Sequence, residues 1–152
     1  TMTITIEAAV STDIEPLVEL LTVLFSIEKD FQPNPEAQRL GLSMLLDRKD
    51  LGQILVARHA TLGVVGMISI QLVISTAVGA PSAWIEDVVL QEAFRGQGVG
   101  LSLLESAKNW AKDKGARRVQ LLADADNTPA LEFYKKHAWQ PTRLFAWKQQ
   151  LI

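Results

Sequence analysis

Arg95-Gly96-Gln97-Gly98-Val99-Gly100 joins an apolar run, Trp84 to Leu90, to a segment in which Leu101, Leu104, Ala107 and Ala111 recur at helical spacing. The run reads as a strand and the recurrence as a helix, so the glycines mark a strand-to-helix junction. The first amides of a helix lack intrahelical acceptors and sit at the positive end of its dipole, which suits them to an anion. Glycine lets the main chain approach closely and take positive φ, and Arg95 adds a fixed charge matched to phosphate. The spacing limits which phosphate. A dinucleotide fingerprint fails because Leu103 stands where its third glycine belongs, and a Walker loop fails because Gly100-Leu101-Ser102 lacks the lysine.

Working outward, Thr3 to Ala8 alternates as a strand. Thr12-Asp13-Ile14-Glu15 has the form of a capping box, and Ile14, Leu17, Val18, Leu21 and Phe25 predict a first helix to about Lys29. Pro35 suits the first position of a second helix through about Asp47. Gln53 to Arg58 and Val64 to Ser75 predict an antiparallel hairpin, and Gly79-Ala80-Pro81 a break before the strand Trp84 to Leu90. The glycine-loop helix should end at Gly115, a C′ glycine, followed by a strand from Val119 to Ala123. Thr128-Pro129 then opens a last helix, with threonine as cap, and short apolar segments near Trp139 and Leu144 to Trp147 close the chain.

The 152 residues fit one domain, 1–152, with a core that needs no staples. There are no cysteines, which excludes disulfides, thiolate metal sites and a cysteine-borne intermediate, and fits a reducing cytoplasm. A net charge of −2 gives no basic footprint for nucleic acid. The most apolar run, Val64 to Ile74, is interrupted by Ser69 and Gln71, and no basic-then-apolar leader pattern opens the chain, so a soluble protein without membrane or processing segments is expected.

Three motifs in order carry a resemblance. The R-x-x-G-x-G string at 95–100 is similar to the Q/R-x-x-G-x-G/A motif of the GNAT superfamily of N-acetyltransferases. Trp84-Ile85-Glu86-Asp87-Val88-Val89-Leu90 resembles the family's fourth strand, and its Ile-Glu-Asp run is similar to that of the diamine and glucosamine-phosphate acetyltransferases. Asn127 to Tyr134 resembles the family's N-x-x-A-x-x-F-Y helix. One position departs: Ala138 stands where the family commonly has glycine, which predicts a different helix exit because positive φ is less available to alanine.

The resemblance implies an α/β (α+β) GNAT fold: a mixed sheet of about six or seven strands, splayed between the fourth and fifth and flanked by about four helices. It implies acetyl-CoA as acetyl donor and no metal. The pyrophosphate is expected on Gly96, Gln97, Gly98, Val99 and Gly100 with Arg95, and the pantetheine arm on Val88, Leu90 and Asn127. An amide of Val88 or Val89 is expected to face the thioester oxygen. Glu86 matches the family's base, acting through water, and Tyr134, the only tyrosine, its general acid. Asp87 should point to the opposite face of a regular strand unless a bulge intervenes. The resemblance implies an acceptor pocket formed by the first two helices, the hairpin and the loop before the fourth strand, here 25–34 and 75–83, with Phe25, Glu28, Phe31, Trp84 and Asp87 as candidates to hold an amine, expected to be a small polyamine-like or amino-sugar-like molecule. A protein N-terminus or lysine, and a non-catalytic acyl-CoA-binding regulatory module, are the alternatives. The apolar C-terminal segment with Phe145 and Trp147 suits a homodimer edge. His59 and His137 fall outside the motifs and read as surface residues.

Overall fold

A computed structural model describes residues 3–152, and the chain divides at Leu122/Ala123 into two compact units. The first unit carries a five-stranded sheet in the order β1-β2-β3-β4-β5, made of Ile4–Ala8, Gly52–His59, Gly63–Ser75, Ala80–Leu90 and Val119–Leu121. The first four pair antiparallel and β4 pairs with β5 parallel, so the mixed α+β architecture expected from the motifs is present. Five strands stand among the described residues, not six or seven. β4 begins at Ala80, earlier than its apolar run, because Pro81 and Ser82 extend the ladder opposite Ile74 and Val73.

Alternation along the central strands gives the sheet two buried faces. Ile54 and Val56 of β2, Met67 of β3 and Val89 of β4 share a core with Leu17, Val18, Leu20 and Leu21 of α1 (Ile14–Ile27) and Leu42 of α2 (Pro35–Leu46). The intervening residues, among them Leu55 and Ile68, are buried on the face covered by α3 (Val99–Asp113), whose Leu103, Leu104 and Ala107 are almost fully enclosed. Removing roughly 25 cal/mol of unfavourable hydration per Å² of apolar surface makes these two layers the main source of stability. Among the described residues, no helix is long and apolar enough to cross a membrane.

Helix starts depart from the expected caps in two places. Thr12 is not the cap of α1: Ser11–Asp13 forms a 3-10 turn and Asp13 is the boundary residue. Asp13 is buried, accepts the Val10 N–H at 2.9 Å, and takes both Arg58 donors at 2.9 and 3.0 Å, with Glu7 on the same guanidinium. Its carboxylate is engaged by a strand β2 arginine 45 residues away, a partner no local pattern reveals. At α2, Asn34 caps through the Ala37 N–H at 3.2 Å and Pro35 is the first helical residue, as the proline suggested. His59 is half-buried, not a surface residue: its ring lies 5.5 Å from Phe94, and its Nδ1 accepts the Thr61 and Leu62 N–H groups.

The second unit, Ala123–Ile152, holds α4 (Thr128–Lys136). Asn127, not Thr128, is its cap, accepting the Ala130 N–H at 3.2 Å. Its exit corrects the expectation drawn from Ala138, which takes the left-handed conformation with φ 68°. Trp139 N–H donates to Tyr134 C=O at 2.9 Å and Ala138 N–H to Lys135 C=O at 3.3 Å, a Schellman closure. Helix α3 ends in the same way, with Ala116 N–H on Ala111 C=O and Gly115 N–H on Lys112 C=O, both at 2.9 Å. There the left-handed residue is glycine. The two carbonyl closures, and the edge contact of Trp139 with Tyr134 at 5.8 Å, hold alanine in a disfavoured well. His137 is likewise half-buried, 4.6 Å from Phe133. The short apolar segments near Trp139 and Leu144 to Trp147 form no strand, and Leu144, Phe145 and Trp147 are exposed.

Two outcomes follow. Ala138→Gly relieves the left-handed strain and is expected to stabilise by about 1 kcal/mol, read as a rise of roughly 2–4 °C in Tm. Arg58→Met leaves Asp13 buried without its cation and should destabilise by about 3 kcal/mol at pH 7. Arg58 holds the Asp13 carboxyl below its ordinary value, so this stabilisation is complete above the unfolded pKa near 3.8 and is lost as pH falls below it. Urea titrations should therefore show the gap between parent and variant closing under about pH 4.

Candidate functional site

Strand β4 organises the candidate site through both its side chains and its free edge. On the α1–α2 side, a cavity of about 570 Å³ lies between the helices and the sheet. Glu86 and Asp87 both line it. A regular strand would send them to opposite faces, but the β3–β4 register steps from Ser69↔Asp87 to Ile70↔Ile85, leaving Glu86 as an extra residue. This bulge turns both carboxylates toward the cavity. Ser69 Oγ donates to Asp87 Oδ2 at 2.7 Å and accepts the Asp87 N–H at 3.2 Å. Burial pushes the Asp87 carboxyl up, the Ser69 hydrogen bond opposes this, and the Glu86 charge adds to the rise.

Of the residues expected around an acceptor, Phe25 and Phe31 also line this cavity, their ring centroids 5.4 Å apart and tilted by 33°. Glu28 and Trp84 are not among its lining residues. Nor is any residue of the 75–83 turn; instead α2 contributes Leu42, Met44 and Leu45, and β3 contributes Ser69 and Gln71. Sequence reasoning missed these. Ser69 and Gln71 did leave a signal as the two polar interruptions of an otherwise apolar run. For α2, spacing marks an apolar face without saying that a hollow lies beneath it.

The other feature of β4 is its edge. Pairing with β5 is confined to Ala83↔Val119, Trp84↔Gln120 and Ile85↔Leu121, whereas β4 continues to Leu90. Gln91 N–H donates to Val65 C=O at 2.8 Å, so by the two-residue period Val89 faces β3 while the main-chain groups of Val88 and Leu90 face the opened side. Leu90 C=O there accepts Arg95 Nη2 at 3.2 Å.

The glycine junction follows directly. Gly96 and Gly98 have φ of 74° and 84°, and Gly98 is the N-terminal boundary of α3, whose first internal bond runs from Ser102 N–H to Gly98 C=O at 3.1 Å. Amides upstream of Ser102 belong to the unpartnered first turn. Between the two left-handed glycines, Gln97 donates from Nε2 to Ala93 C=O at 2.9 Å, which ties the loop to the turn before it. Gly100 differs from its neighbours: its φ is not positive, and a Cβ there would meet only Leu90 Cδ1, at 3.6 Å. Nothing among the described residues demands glycine at 100, and the backbone there is open to close approach by an external group.

In the second unit, Asn127 caps α4 and Tyr134 lies further along the same helix. Burial pushes the Tyr134 phenol up, so it stays protonated at neutral pH. Among the described residues, no group of three or more His, Cys, Asp or Glu side chains is arranged to hold a metal ion.

With this geometry in place, residues 15–139 match the model of the Acetyltransferase (GNAT) family. The chain belongs to that family. Among curated relatives, a mycothiol acetyltransferase of Jonesia denitrificans is 46% identical over 50 residues, covering 33% of this chain and 16% of that protein. The curated relatives matched are aligned over 16–39% of their own length. A solved structure described as a transcriptional regulator from Bacillus halodurans C-125 superposes with TM-score 0.82 at 27% identity, covering 98% of this chain and 100% of that one. An aminoglycoside N-acetyltransferase in complex with CoA superposes with TM-score 0.82 at 16% identity over 99% and 96%, a likeness of fold.

The glycines separate by mutation. Gly98→Ala forces a side chain into a left-handed backbone and should lower Tm by several degrees, whereas Gly100→Ala should leave Tm within about 1 °C, as differential scanning calorimetry will show.

Proposed function

We propose that the whole chain works as one acetyltransferase domain, moving the acetyl group of acetyl-CoA to a primary amine by direct attack in a ternary complex. The observation that carries this reading is the double use of β4: its edge is open at Val88 and Leu90, and its bulge turns Glu86 and Asp87 toward a cavity. The residues fit the donor. Main-chain groups of Val88 and Leu90 suit an amide-bearing pantetheine arm as an added strand would, and the family resemblance assigns Asn127 to that arm. The amides of Gly96 to Gly100 and the Arg95 guanidinium suit a pyrophosphate, and Gly100 gives it room. When bound, acetyl-CoA supplies an acyl carbon activated as a thioester.

The chain's own residues handle the protons. An alkyl amine resembles lysine, with a pKa of about 10.4, and must lose a proton before its nitrogen can attack. Glu86, exposed on the cavity wall, takes that proton through water before the nitrogen attacks, and a second proton leaves the nitrogen to water once the C–N bond has formed. The Val89 N–H is engaged on the β3 side, so the Val88 amide is the donor facing the acyl oxygen, where charge develops. The family resemblance assigns Tyr134 as the acid whose phenolic proton goes to the sulfur as the C–S bond breaks. With no cysteine in the chain, the acetyl group passes directly to the amine. The exposed Leu144, Phe145 and Trp147 support a homodimer edge.

One observation favours a second reading, an acyl-CoA-binding regulatory module: the 27%-identical structure is described as a transcriptional regulator. Thiol release from acetyl-CoA over a panel of primary amines separates the two. Transfer predicts amine-dependent release, and Tyr134→Phe should lower kcat about 10²–10⁴-fold while changing the KM for acetyl-CoA less than about threefold. Gly100→Ala and Arg95→Ala should instead raise that KM. Tight CoA binding without thiol release from any amine would establish the regulatory reading.

A further inference from the structure

The acceptor cavity has an uneven distribution of chemistry. Its wall is apolar along the helices, with Leu21 and Phe25 from α1, Phe31 from the connecting segment, and Leu42, Met44 and Leu45 from α2. Apart from Gln32, the polar side chains on that side already have partners. Gln38 Nε2 donates to Val18 C=O and to Thr22 Oγ1, each at 3.0 Å, while its Oε1 accepts the Asn34 N–H at 2.7 Å. Asn34 Oδ1 caps α2, and the Arg48 guanidinium forks onto Asp50 with two contacts of 3.1 Å. Among the lining residues the only carboxylates are Glu86 and Asp87, adjacent on β4.

This pattern matches one cation and an uncharged body. A polyamine carries further ammonium groups, which would lie against leucine, phenylalanine and methionine with no lining carboxylate to receive them. An amino sugar carries several hydroxyls that need partners, and beyond Gln32 and Gln71 the lining amides and guanidinium already have theirs. An apolar body loses unfavourable hydration against the same wall, and the tilted Phe25–Phe31 pair presents aromatic surface to it. The volume lies within the range of small-molecule sites.

We propose that the acceptor is a primary monoamine on an apolar body, an aralkylamine or medium-chain alkylamine, with its amino group at Glu86 and Asp87 and its body between α1 and α2. This replaces the polyamine-like or amino-sugar-like acceptor suggested by the Ile-Glu-Asp run, and it rests on the acetyltransferase reading above.

The test compares 2-phenylethylamine, n-hexylamine, spermidine and glucosamine as acceptors, following thiol release from acetyl-CoA, and measures their binding calorimetrically in the presence of CoA. The two apolar amines should exceed spermidine and glucosamine by at least about tenfold in both kcat/KM and affinity. Met44→Glu sets a carboxylate at an exposed position on the apolar wall. It should lower kcat/KM for 2-phenylethylamine about tenfold and raise that for spermidine, with Tm and the acetyl-CoA KM serving as controls for folding. Faster transfer to spermidine or glucosamine in the parent overturns the acceptor class and leaves acetyl transfer standing. Equal kcat/KM values for parent and Met44→Glu on both amines show that the body lies elsewhere, and overturn it too. Coenzyme binding with no thiol release from any of the four amines overturns acetyl transfer itself, and this inference with it.

Discussion

Parallel pairing between β4 and β5 lasts three residues and stops at Ile85 and Leu121, while β4 runs on to Leu90. Backbone N–H and C=O groups need partners wherever they are shielded from water, so an interrupted ladder inside a sheet creates a demand for an outside strand-like molecule. The glycine junction at the end of β4 meets a related demand, because the first turn of α3 presents amides that no residue of the helix can satisfy. Both features follow from one cause, a strand that loses its neighbour just before a helix begins.

The bulge at Glu86 acts on the same strand from its other face. By adding one residue opposite the Ser69–Ile70 step, it brings two consecutive carboxylates to one cavity while Ile85 and Val89 remain in the core. Placing two acidic groups together in a half-buried site costs electrostatic energy, and Ser69 offsets part of it by donating to Asp87. The two carboxylates are therefore held differently: Asp87 is tied to its neighbour on β3, and Glu86 is left exposed.

Periodicity made the strands, the β2–β3 hairpin, the three longer helices and the glycine junction legible, because the strands and helices bury repeating apolar faces. What it could not show was any feature decided by a distant partner. Thr12 fits a local capping rule, yet Asp13 is the boundary residue because Arg58 engages it from β2. Asp87 obeys alternation on paper and escapes it through the bulge. Ala138 argues against a left-handed exit by its own preference, and the two hydrogen bonds closing α4 impose one. In the candidate site, Glu86, Asp87, Phe25 and Phe31 were recognisable by type and motif, whereas the contribution of α2 depended on how that helix sits over the sheet.

Gln38 does more than occupy a place beside the cavity. Its side chain bonds to Val18 and Thr22 on α1 and to the Asn34 backbone ahead of α2, so hydrogen bonds at the cavity wall fix the spacing of the two helices. A cavity propped open in this way requires little ordering when it is filled, and its thermodynamic signature should be a negative heat-capacity change with a small conformational penalty. If the proposed acceptor occupies it, such a cavity selects by volume and shape: a body too broad for the spacing of α1 and α2 must break buried hydrogen bonds to enter, while one too slim leaves apolar wall in contact with water.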